Sequence, residues 1–302
     1  MLGLESVPEI KENDDLAEII IKCSDDEIDG IQEKDVIVLT SKIVSKALGR
    51  ARKLSEVKPG KKVLAISKKT GKDAQWLQMI FDEGHQILAI LPLKGLIERH
   101  IFNASEDNRC AEELIEHEQA VCITKGKDGK IHTCDAGIDG SNLPGDIVCL
   151  LPEDPNKTAT DIRKKIQTLT RKKVAVIFAD TEMIPFGTMD LALASAGIAP
   201  CSKMFGKIDN FGKPKFGGMD LVANELTCAC ALVFGQVNAG IPVAIIRGYD
   251  YEESETENIA NAFIPDMDGN AAAKAVKAAI RATAHACPLK QRILLKIASW
   301  FM

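Results

Sequence analysis

The sequence predicts a mixed α+β protein, in which sheets and hairpins carry helices packed outside them. Three observations predict it. The apolar runs at 35–39 (DVIVL) and 174–179 (VAVIFA) have strand length and read as buried strands. The runs at 120–124 and 130–134 flank Lys125-Gly126-Lys127-Asp128-Gly129, and Asp-Gly between two strand-like runs signals a hairpin. Leu16, Ile19 and Ile20, and later Ile162, Ile166 and Leu169, recur at the spacing of an amphipathic helix.

In chain order, Val7-Pro8-Glu9-Ile10 reads as extended, because proline disfavours helix at the residue before it. Asn13 or Asp14 is suited to cap the first helix. The strand 35–39 runs into Thr40-Ser41-Lys42-Ile43-Val44-Ser45-Lys46. Pro59-Gly60 with Lys61 and Lys62 reads as a loop. Residues 73–81 read as a helix with Trp76, Leu77 and Ile80 inward, and 86–91 as a strand ended by Pro92. Residues 96–108 show no assignable pattern. The second strand of the 120–134 hairpin delivers Asp139. A strand at 147–151 ends at Pro152, and Thr158 or Thr160 caps a helix through about Leu169. Residues 191–196 read as a short helix, 205–216 as a loop or surface hairpin, 221–234 as an apolar helix and 242–246 as a last strand. Helices are expected around 271–284 and 289–300.

Composition narrows the function. The chain has 302 residues, enough for one large or two ordinary domains, and a net charge of -5, which argues against a general nucleic-acid binder. No basic segment followed by an apolar run opens the sequence, and no apolar stretch approaches the length of a membrane span, so a cytoplasmic protein without a membrane partner is expected. The nine cysteines are scattered. Cys228 and Cys230 read as packing residues, and free thiols suit a reducing compartment. No P-loop and no nucleophile elbow is present. None of the five histidines falls in a ligand pair or beside a nucleophile motif, and His85 and His132 read as structural.

Three stretches carry candidate chemistry. Ala136-Gly137-Ile138-Asp139-Gly140-Ser141-Asn142 brings a carboxylate, a hydroxyl and an amide within four positions, suited to a hard cation, a phosphate or a ribose, or to an Asx turn between strands. Ser41, Lys42 and Lys46 follow a buried strand and suit an anionic ligand, or form a solvated basic turn. Asp180-Thr181 at the end of the 174–179 run suits a metal or phosphate, or a helix cap.

The stretches Val7-Pro8-Glu9-Ile10, Asp14–Glu18, TSKIVSKALGR (40–50), AGIDGSN (136–142), LLPEDP (150–155), Asp180-Thr181 and GIPVAIIRG (240–248) occur in the order found in one family. They resemble the coenzyme F420-0:L-glutamate ligases, which add γ-linked glutamate to a deazaflavin coenzyme using GTP. The resemblance implies a F420 γ-glutamyl ligase-like fold over residues 1–250, with 251–302 as a C-terminal helical extension, and a homodimer. It implies that Asp139 and Asp180 bind one divalent metal and Thr181 and Gln236 a second, as Mg²⁺ or Mn²⁺, with K⁺ as a further ion. It implies that Val7, Pro8, Glu9, Ile10, Ser41, Lys42, Lys46 and Asn142 hold GTP (or ATP), together with Phe234, Gly235, Gln236, Val237, Asn238, Ala239, Gly240 and Ile241.

The activity implied is a nucleotide- and metal-dependent γ-glutamyl ligase that joins L-glutamate to a small-molecule carboxylate acceptor through an acyl phosphate. No residue stands out as a general base, so none is assigned as catalytic. The chain also departs from the family pattern. Where members continue from Asp-Thr with Gly-Arg and a further arginine, it reads Glu182-Met183-Ile184-Pro185-Phe186-Gly187. Phe211-Gly212-Lys213 replaces Tyr-Gly-Arg, and Asn224-Glu225-Leu226 replaces Asp-Glu-Leu. Arginine forks bind carboxylates and phosphates in a way lysine does not reproduce. Loss of these arginines, with repulsion from Glu182, leads to the expectation that a folate- or pterin-type acceptor is preferred to the deazaflavin. A non-catalytic nucleotide-binding relative is the alternative from another class.

Overall fold

The computed structural model describes residues 1–93, 120–127, 129–184, 187–235, 237–262, 278 and 288–298. Two compact units result, Met1–Ala260 and Asn261–Met302. Within the first, a five-stranded sheet has the order β1-β10-β2-β8-β9. Its strands are β1 (Leu2–Gly3), β2 (Val36–Thr40), β8 (Ala175–Ile184), β9 (Gly187–Ala196) and β10 (Val243–Ile246). β2 and β8 are parallel, and the other pairings are antiparallel.

The central strands are buried on both faces, which is why they read as unbroken apolar runs. On one face Ile37, Leu39, Val176, Phe178, Val243 and Ile245 meet the helices α1 (Leu16–Glu27), α2 (Ser41–Ala47) and α5 (Pro155–Thr170). On the other, Val36, Val38, Ala175, Ile177, Ala244 and Ile246 meet α6 (Val222–Phe234) through Ala223, Leu226, Cys230 and Phe234. Each fully buried Val, Ile or Phe adds roughly 1.5–3 kcal/mol, so these two cores dominate the fold. Arg247, just past β10, anchors the opposite end of β2. Its Nε and Nη2 donate to the fully buried Asp35 at 3.0 and 2.9 Å.

A smaller layer sits beside this sheet. It comprises α3 (Lys61–Thr70), α4 (Ala74–Asp82), the sheet β4-β5-β6 (Gln86–Pro92, Ala120–Lys125, Ile131–His132) and the pair β3-β7 (Ala51–Lys53, Ile147–Cys149). Leu77, Ile80, Cys122, Ile138, Val148 and Leu150 form its core. The second unit contains α7 (Leu289–Ala298).

Several local expectations are corrected. Asp15, not Asn13 or Asp14, caps α1 by accepting from Glu18 N. Lys61 and Lys62 open α3 rather than a loop. Asp154 caps α5, with Pro155 in its first turn, so neither Thr158 nor Thr160 is the cap. Residues 191–196 are strand, not helix: β9 pairs with β8 along its length. β8 runs on through Asp180 and Thr181, so neither caps a helix. The expected 271–284 helix lies outside the described residues, except for helical Ala278.

The loop carrying Asp139 is set by a buried ion pair. Lys72 Nζ lies 2.6 Å from Asp135 Oδ2, and Cys122 N donates to Asp135 Oδ1 at 2.8 Å. Both side chains are buried, and the Lys72 ammonium also lies 5.0 Å from the centre of the Trp76 ring. After Asp135 the backbone turns through Ala136 and Gly137 with positive φ. At Gly137, φ +71, a Cβ would meet Leu151 Cδ1 at 2.3 Å, so glycine answers both the conformation and the space. Removing one partner of a buried pair strands the other charge. Lys72→Ala is therefore expected to lower stability by about 3–5 kcal/mol in guanidinium unfolding. A loss under 1 kcal/mol would show that the pair does not hold this loop.

Candidate active site

A cleft of about 490 Å³ opens at the carboxyl end of the parallel β2–β8 pair. The register places Thr40 opposite Ala179, so the next residues, Ser41 and Asp180, are neighbours. Ser41 Oγ donates to Asp180 Oδ1 at 2.7 Å. One residue before Asp180 the pairing with β9 slips: Phe178 faces Ala194 and Ala179 faces Ala192, leaving Leu193 as an extra residue. Such bulges re-aim side chains. Thr181 is paired with Asp190, and its hydroxyl donates to Asp190 Oδ1 at 2.7 Å. Asp190 is held in turn by α6, where Cys228 Sγ donates to its backbone carbonyl at 3.2 Å.

The loop after Gly137 forms a second wall. Ser141 N donates to Asp139 Oδ1 at 2.7 Å and Ser141 Oγ to Oδ2 at 3.0 Å, an Asx-type turn. Lys42 reaches across from α2. Its Nζ is 2.5 Å from Asp139 Oδ2 and 2.6 Å from Ser141 Oγ. Lys46, one helical turn on, places Nζ 2.6 Å from Glu9 Oε1. The third wall is the segment from Phe234, the last residue of α6, through Gly235 and Val237–Ile241 to β10.

Val7, Pro8, Glu9, Ile10, Ser41, Lys42, Lys46, Asp139, Asn142, Asp180, Thr181, Phe234, Gly235, Val237, Asn238, Ala239, Gly240 and Ile241 all line this one cleft. Gln236 lies outside the described residues. The sequence reading missed Ser141 as a partner of Lys42, and missed Asp190 altogether. With 191–196 read as a helix, nothing placed Asp190 opposite Thr181. A strand reading of that run would have found it.

Electrostatics bear on what the cleft can hold. Among the described residues its carboxylates are Glu9, Asp139, Asp180 and Asp190, against the ammonium groups of Lys42 and Lys46. A polyphosphate could enter this excess of negative charge only with cations to offset it. Asp180 Oδ2 is buried and has no hydrogen-bond partner. Burial pushes its carboxyl up to about 7; the Ser41 hydrogen bond opposes the shift and Glu182 adds to it. An unsatisfied carboxylate oxygen in the wall of a cleft that also carries Asp139 and Thr181 suits a hard divalent cation. Among the described residues no three carboxylate, imidazole or thiolate side chains cluster as a metal site. Remaining ligands would then come from hydroxyl, water or phosphate, the usual mode for Mg²⁺.

Glu182 does not face the cleft; its carboxylate is clasped against the smaller layer. His132 Nδ1 lies 3.1 Å from Oε1, while Thr133 N and Oγ1 each donate to Oε2 at 2.6 Å. Thr133 Oγ1 also accepts from Met183 N at 2.7 Å. Burial pushes the carboxyl up, but these hydrogen bonds together hold it below the usual carboxylate range. The expected repulsion of an acceptor by Glu182 is thereby removed.

Fold and cleft define a class: an α+β protein whose site pairs oxygen donors with lysines at the carboxyl end of parallel strands, suited to an anion held with a cation. The chain belongs to the F420-0:gamma-glutamyl ligase family, whose model matches residues 5–248. It is 32% identical over 253 residues to a coenzyme F420:L-glutamate ligase of Methanothermobacter thermautotrophicus, covering 83% of this chain and 89% of the relative. To that of Methanosarcina acetivorans it is 31% identical over 271 residues, covering 88% and 93%. To that of Haloarcula marismortui it is 32% identical over 259 residues, covering 83% and 88%. Among the described residues no helix is long and apolar enough to cross a membrane.

The Asp180 shift makes a pH prediction. Its folded pKa, about 7, lies above the ordinary value of 3.8, so the folded state holds the proton more tightly. The resulting penalty is absent below about pH 4 and complete above about pH 7. Asp180→Asn should therefore raise metal-free stability at pH 8 by roughly 1–4 kcal/mol, and the gain should vanish near pH 4. A variant less stable at pH 8 would contradict the buried, strained carboxylate.

Proposed function

We propose that this protein is a nucleotide- and metal-dependent γ-glutamyl ligase that joins the amine of L-glutamate to a carboxylate of coenzyme F420-0. The observation that carries the reading is the convergence of Asp139, Asp180, Thr181, Ser41, Lys42 and Lys46 on one cleft. The names of the relatives support the choice of glutamate and of the deazaflavin acceptor.

GTP or ATP lies with its phosphates toward Lys42 and Lys46, whose ammonium groups act as point charges on phosphate oxygens. Lys42 reaches them only by leaving Asp139, and Lys46 by leaving Glu9. An oxygen of the acceptor carboxylate attacks the γ-phosphorus. The bond from that phosphorus to the β–γ bridging oxygen breaks, and the nucleoside diphosphate departs. The nitrogen of glutamate then attacks the acyl carbon, inorganic phosphate leaves with the C–O electron pair, and the amine proton passes to solvent. One Mg²⁺ or Mn²⁺ at Asp139 and Asp180 and a second at Thr181 and Gln236, with K⁺ as a further ion, would supply neutralising charge at the phosphates. The chain's own part is positional: Ser41 orients Asp180, Asp190 orients Thr181, and Ser141 orients Asp139. Positioning and charge stabilisation are the main contributions to phosphoryl transfer.

The test offers labelled glutamate with GTP or ATP, Mg²⁺ or Mn²⁺, and either coenzyme F420-0 or a folate, and follows products by mass spectrometry. A deazaflavin product heavier by one glutamyl residue is expected. Glutamylation of folate alone would transfer the reading to a pterin acceptor, and tight nucleotide binding without product would leave a non-catalytic relative. Lys46→Ala should weaken nucleotide binding roughly tenfold to a hundredfold by calorimetry, the range of one charge-assisted hydrogen bond. Unchanged affinity would remove Lys46 from the phosphates.

A further inference from the structure

Charge is divided unevenly along the chain. Over the whole length acidic residues outnumber basic ones, 43 to 38. Residues 269–302 reverse that balance, with six lysines and arginines and no aspartate or glutamate. A segment of opposite sign to the rest of its chain is a mark of binding to an anionic surface or polymer. The family model ends at residue 248, so the ligase reading makes no use of this stretch. Within it lies α7, ten residues from Leu289 to Ala298 in the second unit.

α7 turns apolar side chains outward. Leu289, Leu294, Ile293 and Ile297 are 70%, 66%, 51% and 49% exposed. Leu289, Ile293 and Ile297 recur every fourth residue, and Leu294 stands three residues from Ile297, so the four share one side of the helix. Single exposed apolar residues are ordinary, but a contiguous group marks a surface that is covered in use. Lys290 is exposed on the same side, three residues from Ile293 and four from Leu294. Arg292 borders it, three residues from Leu289. Such side chains lay their stems along apolar surface and keep the charge in water.

A surface both apolar and cationic selects its partner. A nucleic-acid backbone would engage the cations and leave the four apolar side chains in water. A second copy would bring the same cations against them, and like charges oppose that pairing. An anionic bilayer surface satisfies both, taking the apolar side chains among its acyl chains and the cations among its headgroups. A helix of ten residues has about half the length of a span, so it would lie in the membrane plane. We propose that α7 docks this protein on an anionic membrane surface, with Leu289, Ile293, Leu294 and Ile297 inserted and Lys290 and Arg292 at the headgroups. Composition taken over the whole chain, which led to the expectation of no membrane partner, averages this segment away. The docking is independent of the ligase reading and concerns where the reaction takes place.

The test is co-sedimentation of the full chain with vesicles of phosphatidylcholine, alone or mixed with phosphatidylglycerol. The chain should bind the mixed vesicles roughly tenfold or more tightly than the neutral ones, and added salt should shrink that difference. Ile293→Asp with Ile297→Asp, and separately Lys290→Glu, change exposed side chains, so guanidinium unfolding should be unaltered. Ile293→Ser with Ile297→Ser serves as the milder pair. The aspartate pair should weaken vesicle binding roughly tenfold or more and Lys290→Glu roughly fivefold or more. Nucleotide affinity should stay unchanged in every variant. No binding to mixed vesicles at low salt overturns the proposal. Native binding by both isoleucine pairs overturns it as well, because charge alone would then carry the contact. A native oligomer that dissociates in the isoleucine pairs, read by light scattering, would show a second copy on this face and also overturn it.

Discussion

The hydrogen bond from Ser41 to Asp180 is where fold and site meet. It exists because β2 and β8 run parallel and end in register, so the residue after each strand falls beside the other. The apolar runs that make these strands are buried on both sides, by α1, α2 and α5 on one face and by α6 on the other. Slipping the register by one residue would exchange the two faces and break both cores. Asp180 is thus held by the packing of the whole sheet, with one oxygen satisfied and the other left buried without a partner. Burying a carboxylate in this way is costly and persists only where the surrounding structure imposes it.

Around that point the other charges are set by short local devices. Asp139 is held by its own Asx turn, Thr181 by its strand partner Asp190, and Lys42 and Lys46 by one face of a short helix. The Glu182 clasp then ties β8 to the smaller layer, so both walls of the cleft belong to one compact unit. The Asp139 backbone pairs both ways with Cys149 of β7, and the turn that leads to it starts at Asp135, held by Lys72. Lysines already sit on two of the cleft's carboxylates, so the cleft is partly neutralised before any ligand arrives.

Much of this was legible in the sequence, for identifiable reasons. The runs at 35–39 and 174–179 are unambiguous, because length and β-branched content leave little choice. The ordered motifs placed the cleft residues together although they are far apart in the chain. The failure at 191–196 has a physical cause: LALASA is a short run of leucine, alanine and serine with no β-branched residue, and a buried strand of that kind cannot be told from a helix by periodicity. The caps failed differently. Asp154-Pro155 is a recognisable start, an acidic cap followed by proline, but Thr158 and Thr160 just beyond it are equally good cap residues by type. The direction of Glu182 was not legible. It depends on His132 and Thr133, some fifty residues away, and no local pattern encodes that contact.

The central proposal is that the buried, half-satisfied Asp180 carboxylate is a ligand of a divalent cation in the cleft. A crystal of the protein grown with Mn²⁺ and a non-hydrolysable nucleotide tests it through the anomalous scattering of manganese. The account predicts a peak at roughly 2.0–2.6 Å from Asp180 Oδ2, the distance of a direct oxygen ligand. Nucleotide in the cleft with manganese bound elsewhere, and Asp180 Oδ2 still without a ligand, would contradict it.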